Sequence, residues 1–176
     1  MKYLFYLNSH LSSQSIETPE GYTSYFWKPK WRSLAPRRMH IYPFGVWWLF
    51  HYLRIFENGD YRLFLIVHDG IVVHRSVVFP PFFRFPFMSR QDLQIGDTWT
   101  DPNHRGRGLA TLALFSIMSE YSLEKRRIWY IVESENQPSI RVVEKAGFER
   151  VGEGIRLSRM GIPLLGYYTI QEYTQQ

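Results

Sequence analysis

Residues 104–110 read HRGRGLA, two arginines alternating with two glycines at the entry to an apolar run. A chain that enters a helix in this way presents backbone N–H groups without partners and the positive end of the helix dipole. Gly106 and Gly108 let the backbone approach a ligand closely and accept φ > 0, while Arg105 and Arg107 add charge-assisted hydrogen bonds. Both features suit one ligand chemistry, a phosphate-type anion. The spacing fits neither a nucleotide-triphosphate loop nor a dinucleotide fingerprint. Taken alone, the stretch reads equally well as a solvated glycine turn capping a helix. The 176-residue chain contains no cysteine, which excludes disulfides, thiolate metal sites and a cysteine nucleophile.

The elements that position this stretch follow from periodicity. MKYLFYLN reads as a first strand, and the Pro-, Gly- and aromatic-rich segment from Glu17 to Phe44 as irregular structure wrapping the core. Val46, Leu49, Phe50, Leu53 and Phe56 share one helical face, and ENGD follows as a stop. YRLFLIV and IVVHRSVVF, joined by HDG, predict a hairpin from Tyr61 to Phe79. PPFFRFPFM carries three prolines that break pairing and four phenylalanines that must pack against something. DLQIGDTWT is a strand ending at Asp101-Pro102. A helix is expected over 109–124 and a strand in RRIWYIVE. NQPSIRVVEKAGF is a short helix with Asn136 as N-cap, closed at Gly147. FERVGEGIRL and LLGYYTIQEY form a terminal pair of strands. This alternation predicts a mixed α/β sheet in one domain.

Composition narrows the partners. A net charge of +5 favours anionic ligands, and aromatics at 18% exceed what packing a domain of this size needs. No stretch approaches the roughly 18 apolar residues of a membrane-spanning helix, and MKYLFYLNSH is too short for a signal-peptide core. A soluble protein is expected, cytoplasmic by default.

Arg105-x-x-Gly108-x-Ala110, between a strand ending in Asp101-Pro102 and an apolar helix, resembles the acetyl-CoA pyrophosphate motif of the GNAT superfamily of N-acyltransferases. Downstream, Val132-x-x-x-Asn136-x-x-Ser139 running into Glu144-Lys145-Ala146-Gly147-Phe148 resembles the superfamily's second motif, in the form used by ribosomal-protein N-terminal and many small-amine acetyltransferases. Together these motifs span about a third of the chain. The resemblance implies a central, mostly antiparallel, splayed sheet with flanking helices. It divides the single domain 1–176 into a variable acceptor-side part (1–60), an acetyl-CoA-binding core (61–153) and C-terminal strands (154–176).

It also implies roles. Arg105, Gly106, Arg107, Gly108, Leu109 and Ala110 would hold the pyrophosphate of acetyl-CoA. The strand Gln94–Thr100 would part from Ile128–Glu133 to admit the pantetheine arm, with Asn136 facing that arm or the thioester. A backbone N–H around Thr98 to Thr100 would hold the oxyanion. Many relatives protonate the departing sulfur with a tyrosine whose slot here is Val143; Ser139 is the substitute, with Tyr167, Tyr168 and Tyr173 as others able to reach. As base for the amine, Asp97 comes first, then Glu133 and His74. His51 reads as a packed residue, and His104 either as a second phosphate contact or as a solvated loop residue.

The acceptor side matches nothing as closely. Rings beside Arg and Lys in FWKPKWRSLAPRRMHIYPFGVWW and PPFFRFPFM suit an amino-sugar nucleotide or another small anionic amine; they equally suit a small core or a homodimer seam. The expectation is an acetyl-CoA-dependent N-acetyltransferase on a small amine, with no metal, no nucleic acid and no membrane partner. A protein N-terminal acetyltransferase and a non-catalytic acyl-CoA-binding module are the alternatives.

Overall fold

The computed structural model describes residues 1–8, 17–36, 39, 41–42, 44–124, 126–159 and 162–173. Eight strands form one sheet in the order β2-β3-β4-β5-β6-β1-β7-β8. They are β1 (Lys2–Asn8), β2 (Tyr22–Trp27), β3 (Arg62–His68), β4 (Ile71–Phe79), β5 (Leu93–Thr100), β6 (Ile128–Glu133), β7 (Glu149–Arg159) and β8 (Ile162–Glu172). Every junction is antiparallel except β5–β6, as expected for a mixed, mostly antiparallel sheet flanked by helices. The chain crosses between the two parallel strands through α2 (Leu109–Glu120), and α3 (Gln137–Lys145) joins β6 to β7.

Two apolar layers hold the sheet. On one face α2 lies across β3, β4 and β5 and touches α3; Leu109, Leu112, Ala113, Ile117 and Met118 pack there on Ile66, Val78, Ile95 and Tyr130. On the other face α1 (Phe44–Tyr52) and the Phe-rich loop cover Leu63, Leu65, Val77, Phe79 and Trp129. The loop's phenylalanines thus find their partners, with Phe82 and Phe85 buried. The loop is also pinned to the last strand by Tyr168 N–H donating to the Arg84 carbonyl (2.9 Å).

The hairpin turns at Asp69-Gly70 with both residues at positive φ (49° and 73°), the geometry a two-residue primed turn demands. The sequence reading misses two features. Tyr22–Trp27, expected to be irregular, is an edge strand on β3; prolines on either side and the absence of a period-two apolar pattern in YTSYFW disguised it. α1 buries Phe44, Trp47 and Phe50; of the expected stripe Phe50 and, beyond the helix end, Phe56 are covered, while Leu49 and Leu53 are 46% and 61% exposed. The helix is apolar around its circumference, so periodicity gave it no direction.

Candidate functional site

β5 and β6 start as partners and then part. Their register covers only Leu93↔Ile128, Gln94↔Trp129 and Ile95↔Tyr130; beyond Ile95 the β6-facing edge of β5 has no strand partner among the described residues. Asp92 clamps the roots of the fork. Its buried carboxylate accepts from Arg127 (3.1 and 2.8 Å), the Trp129 indole (2.9 Å) and the Ser89 amide (3.0 Å).

Where the fork opens, β5 bulges. The register with β4 slips between Arg75 and Val77, where Ser76 alone stands opposite Asp97 and Thr98, and Asp97 sits at φ +44°. For a residue with a Cβ this backbone costs about 1–2 kcal/mol. The inserted residue inverts strand parity. Leu93 and Ile95 face α2; past the bulge Thr98 and Thr100 face that side again, and Asp97 is turned to the opposite face. There its carboxylate pairs with Arg75 (3.1 and 3.3 Å), whose guanidinium lies over the Phe44 and Trp99 rings.

β5 leads directly into HRGRGLA. Asp101 caps a single 3-10 turn, Pro102–His104, by accepting from the Asn103 N–H (2.9 Å). Gly106 and Gly108 both take φ +75° with open space where a Cβ would stand, and Gly108 caps α2. Among the described residues the N–H groups from Gly106 to Thr111 have no backbone acceptor, because the first intrahelical bond runs from Leu112 to Gly108. Arg105 and Arg107 are exposed beside them. Arg105 uses Nε to hold the Thr100 carbonyl (3.1 Å), which ties the cradle to the end of the fork. His104 turns away and bonds the Tyr22 hydroxyl through Nδ1 (2.9 Å).

The second motif stands across the fork. Asn136 caps α3 by accepting from the Ser139 N–H (3.2 Å), and Gly147 closes the helix at φ +82°. Val143 is completely buried in the core, so the slot that many relatives fill with tyrosine faces packed side chains. Glu144 instead accepts from Tyr6 (2.9 Å); burial, then that bond, pushes the Tyr6 phenol up to about 12.

On the face opposite α2 and α3, a cavity of about 310 Å³ opens onto the fork. Its floor is Gln94, Gly96, Asp97 and Ile131; Trp47, Phe82, Phe85 and Tyr168 form walls, with Arg84 among them. The Arg84 guanidinium lies over the Trp47 and Phe82 rings (5.4 and 5.5 Å), and burial lowers its pKa.

Residues 27–148 match the profile of the acetyltransferase (GNAT) family. The chain belongs to this family. The GNAT assignment agrees with solved structures of low sequence identity that share the fold. A GCN5-related N-acetyltransferase from Sphaerobacter thermophilus is 17% identical, with TM-score 0.61 over 86% of this chain and 49% of its own. A tandem GNAT protein of the clavulanic acid biosynthesis pathway is also 17% identical, with TM-score 0.59 over 85% and 50%. A GNAT-family acetyltransferase from Colwellia psychrerythraea is 16% identical, with TM-score 0.52 over 85% and 52%. The chain spans about half the length of these structures. No curated protein matches it in sequence.

The GNAT fold brings the cradle, Thr98, Thr100, Asn136 and Ser139 to one side of the fork and Asp97 to the other. Glu133 is exposed at the tip of β6, opposite Tyr3 and on the cavity side by parity with Ile131. His51 packs beside Tyr52 and Tyr61, where burial lowers its pKa. Among the described residues no helix is long and apolar enough to cross a membrane, and no cluster has the composition of a metal site.

The sequence reading passed over Tyr130 and Ser76. Tyr130 is buried on β6, and burial raises its pKa while the neighbouring Thr98 and Ser139 hydroxyls pull the other way. Ser76 Oγ stands 3.1 Å from Thr98 Oγ1 and 3.1 Å from Nε2 of His74, whose Nδ1 meets Thr100 Oγ1 at 2.8 Å. His74 and Ser76 alternate on one strand, Thr98 and Thr100 on its neighbour, a paired period of two that could have disclosed the row.

Proposed function

We propose that this GNAT chain transfers an acetyl group from acetyl-CoA to the primary amine of a small anionic molecule, of which an amino-sugar nucleotide is one form. The observation that carries this reading is the fork, with an amide cradle at its mouth on one face and an aromatic, arginine-containing cavity on the other. The residues present fit the donor. The open N–H groups of Gly106 to Thr111, with Arg107 and the remaining donors of Arg105, suit a pyrophosphate, and the bare edge of β5 suits an extended arm with amide groups. Acetyl-CoA supplies the activated acyl group, and this chain's residues position and polarise.

Asp97 faces the cavity and takes the proton from the incoming ammonium, directly or through water, with Glu133 as the next carboxylate. Arg75 holds the Asp97 carboxylate in place. The bare β5 N–H groups around Thr98 and Thr100 hydrogen-bond the carbonyl oxygen as charge develops there. Ser139, at the first turn of α3, hydrogen-bonds the departing sulfur. A thiolate near the ordinary thiol pKa of about 8.5 leaves without full protonation, so a hydroxyl serves where many relatives have a phenol. Arg84 and the rings receive the acceptor's anionic group and its ring body. The setting is the cytoplasm.

Calorimetric titration of acetyl-CoA into the wild type and into Gly108→Glu tests the proposal. The substitution puts a like charge into the open space of the cradle. Micromolar binding that disappears in the folded variant, with thiol release on addition of amino-sugar nucleotides, is the expected result; no binding to folded wild type refutes it. The buried Val143 favours one second reading, an acyl-CoA-binding module without turnover. That reading predicts the same calorimetry and no thiol release with any amine.

A further inference from the structure

The side of α1 that faces away from the sheet is apolar too. At about 100° per residue Trp48, Leu49, Tyr52 and Leu53 fall opposite the buried Phe44, Trp47 and Phe50, and the Leu53 N–H extends the helical pattern past Tyr52 by donating to the Leu49 carbonyl (2.9 Å). A tight turn is fastened against this side. The Ser33 N–H closes it onto the Lys30 carbonyl (2.9 Å), which also accepts from the Trp48 indole (2.9 Å). Trp31, inside the turn, is 70% exposed and yet held against the Trp48 and Tyr52 rings, with 5.7 and 5.3 Å between centroids. Ile41, whose carbonyl accepts from the Gly45 N–H at the start of the helix, is 62% exposed.

The charges in this part of the chain have one sign. Between Glu20 and Glu57 there are six lysines and arginines and no carboxylate. Of these, Lys28, Lys30, Arg32 and Arg54 are exposed, and none forms an ion pair among the described residues. Exposed apolar side chains gathered in one place mark a docking surface, and the chemistry around them selects the occupant. A second copy seated face to face would set cation against cation with no carboxylate to answer. Single-stranded nucleic acid would stack on the rings, but Leu49, Leu53 and Ile41 offer a base no π-face. An anionic bilayer uses every part: Trp and Tyr at the level of the headgroups, Leu and Ile just beneath, Lys and Arg on the phosphates.

We infer that the outer side of α1, with the turn Lys30–Ser33, is a docking surface for an anionic lipid bilayer, on which Trp31, Leu49 and Leu53 seat in the interface and Lys30, Arg32 and Arg54 meet lipid phosphates. The expectation of no membrane partner rests on the want of a spanning segment; α1 has nine residues and lies along the surface, not across it. Trp47, on the inner side of the same helix, is a wall of the cavity. Docking in this pose therefore holds the cavity one helix diameter, about 10 Å, from the headgroups. The inference rests on this surface alone and not on the transfer reading.

Vesicle flotation of the full chain tests it. Vesicles of phosphatidylcholine with a third phosphatidylglycerol should carry the protein at low salt and release much of it at half-molar salt, and vesicles of phosphatidylcholine alone should carry little. Leu49→Ser/Leu53→Ser and Lys30→Gln/Arg32→Gln should each weaken binding by roughly tenfold or more, with circular dichroism unchanged because all four side chains are exposed. Failure of the folded wild type to float with anionic vesicles refutes the inference, and so does full binding by the double leucine variant, which would reduce the contact to charge alone. Oligothymidylate that binds more tightly than the vesicles and is lost in Trp31→Ala would make the patch a stacking platform. A dimer in sedimentation that Leu49→Ser/Leu53→Ser dissociates would make it a seam between copies. Either result overturns the lipid assignment. Flotation needs no turnover, so absence of thiol release would refute the transfer reading and leave this result standing.

Discussion

Protonating His74 should destabilise this protein in a measurable and removable way. Burial, with a smaller push from Arg75, holds the imidazole down at about 4 against an ordinary value of 6.5. The native state therefore binds fewer protons than the unfolded chain between those values, and stability must fall as pH falls through that window. Each pH unit of the gap is worth about 1.4 kcal/mol, so the complete linkage amounts to roughly 3 kcal/mol, a large share of the 5–15 kcal/mol typical of a domain. Urea unfolding of wild type and His74→Gln at pH 7, 5.5 and 4.5 isolates it, because carboxylate contributions are common to both proteins and cancel in the difference. Wild type should lose about 2 kcal/mol more than the variant between pH 7 and 4.5. Parallel losses would mean that His74 protonates in place without penalty, and the dry, doubly bonded imidazole described above would be wrong.

Other outcomes are equally specific. Gly154→Ala should lower stability by about 2–4 kcal/mol, read as a shift in the urea midpoint, because its Cβ would stand 1.8 Å from the Thr169 carbonyl oxygen across the β7–β8 ladder. Asp97→Asn, which tolerates the same backbone, should lower kcat by about a hundredfold or more while leaving acetyl-CoA affinity unchanged in calorimetry; an unchanged kcat would transfer the base role to Glu133. Arg84→Met should raise KM for an anionic amine by about tenfold and leave a neutral amine of similar size unaffected, since it removes charge and keeps much of the buried stem.

How much of this was legible depended on where the information lies. The cradle could be read because glycine, arginine and a following apolar helix are local requirements, met within a few residues from Arg105 to Ala110. Asn136 and Gly147 bracket α3 for the same reason. Asp97 could be placed on β5 but not on a face, because the bulge that turns it is a property of two strands and becomes visible only once Arg75, Val77 and Gly96 are in register. α1 could be placed but not oriented, since Trp47, Trp48, Leu49 and Phe50 are all apolar and only the sheet decides which are covered. Tyr130 reads as one more core aromatic until Thr98 and Ser139, from β5 and α3, arrive at its hydroxyl. Local chemistry is legible in a sequence, and chemistry assembled across strands is not.

The position of β1 has a consequence for how the chain assembles. It lies between β6 and β7, with Tyr3 opposite Glu133 on one side and Gly154 on the other. Pairings that span so much sequence form slowly, since chain entropy must be spent before the contacts return anything. During synthesis β1 is made more than a hundred residues before either partner, so its apolar run Tyr3 to Leu7 waits without its ladder while β2, β3, β4 and β5 close in local hairpins and neighbours. The fork proposed above as the acetyl-CoA site borders this late insertion on its β6 side. Refolding should therefore restore the α2 face and the cradle in a fast phase, and the closed β6–β1–β7 ladder in a slow one, leaving a window in which the cradle exists but one wall of the fork does not.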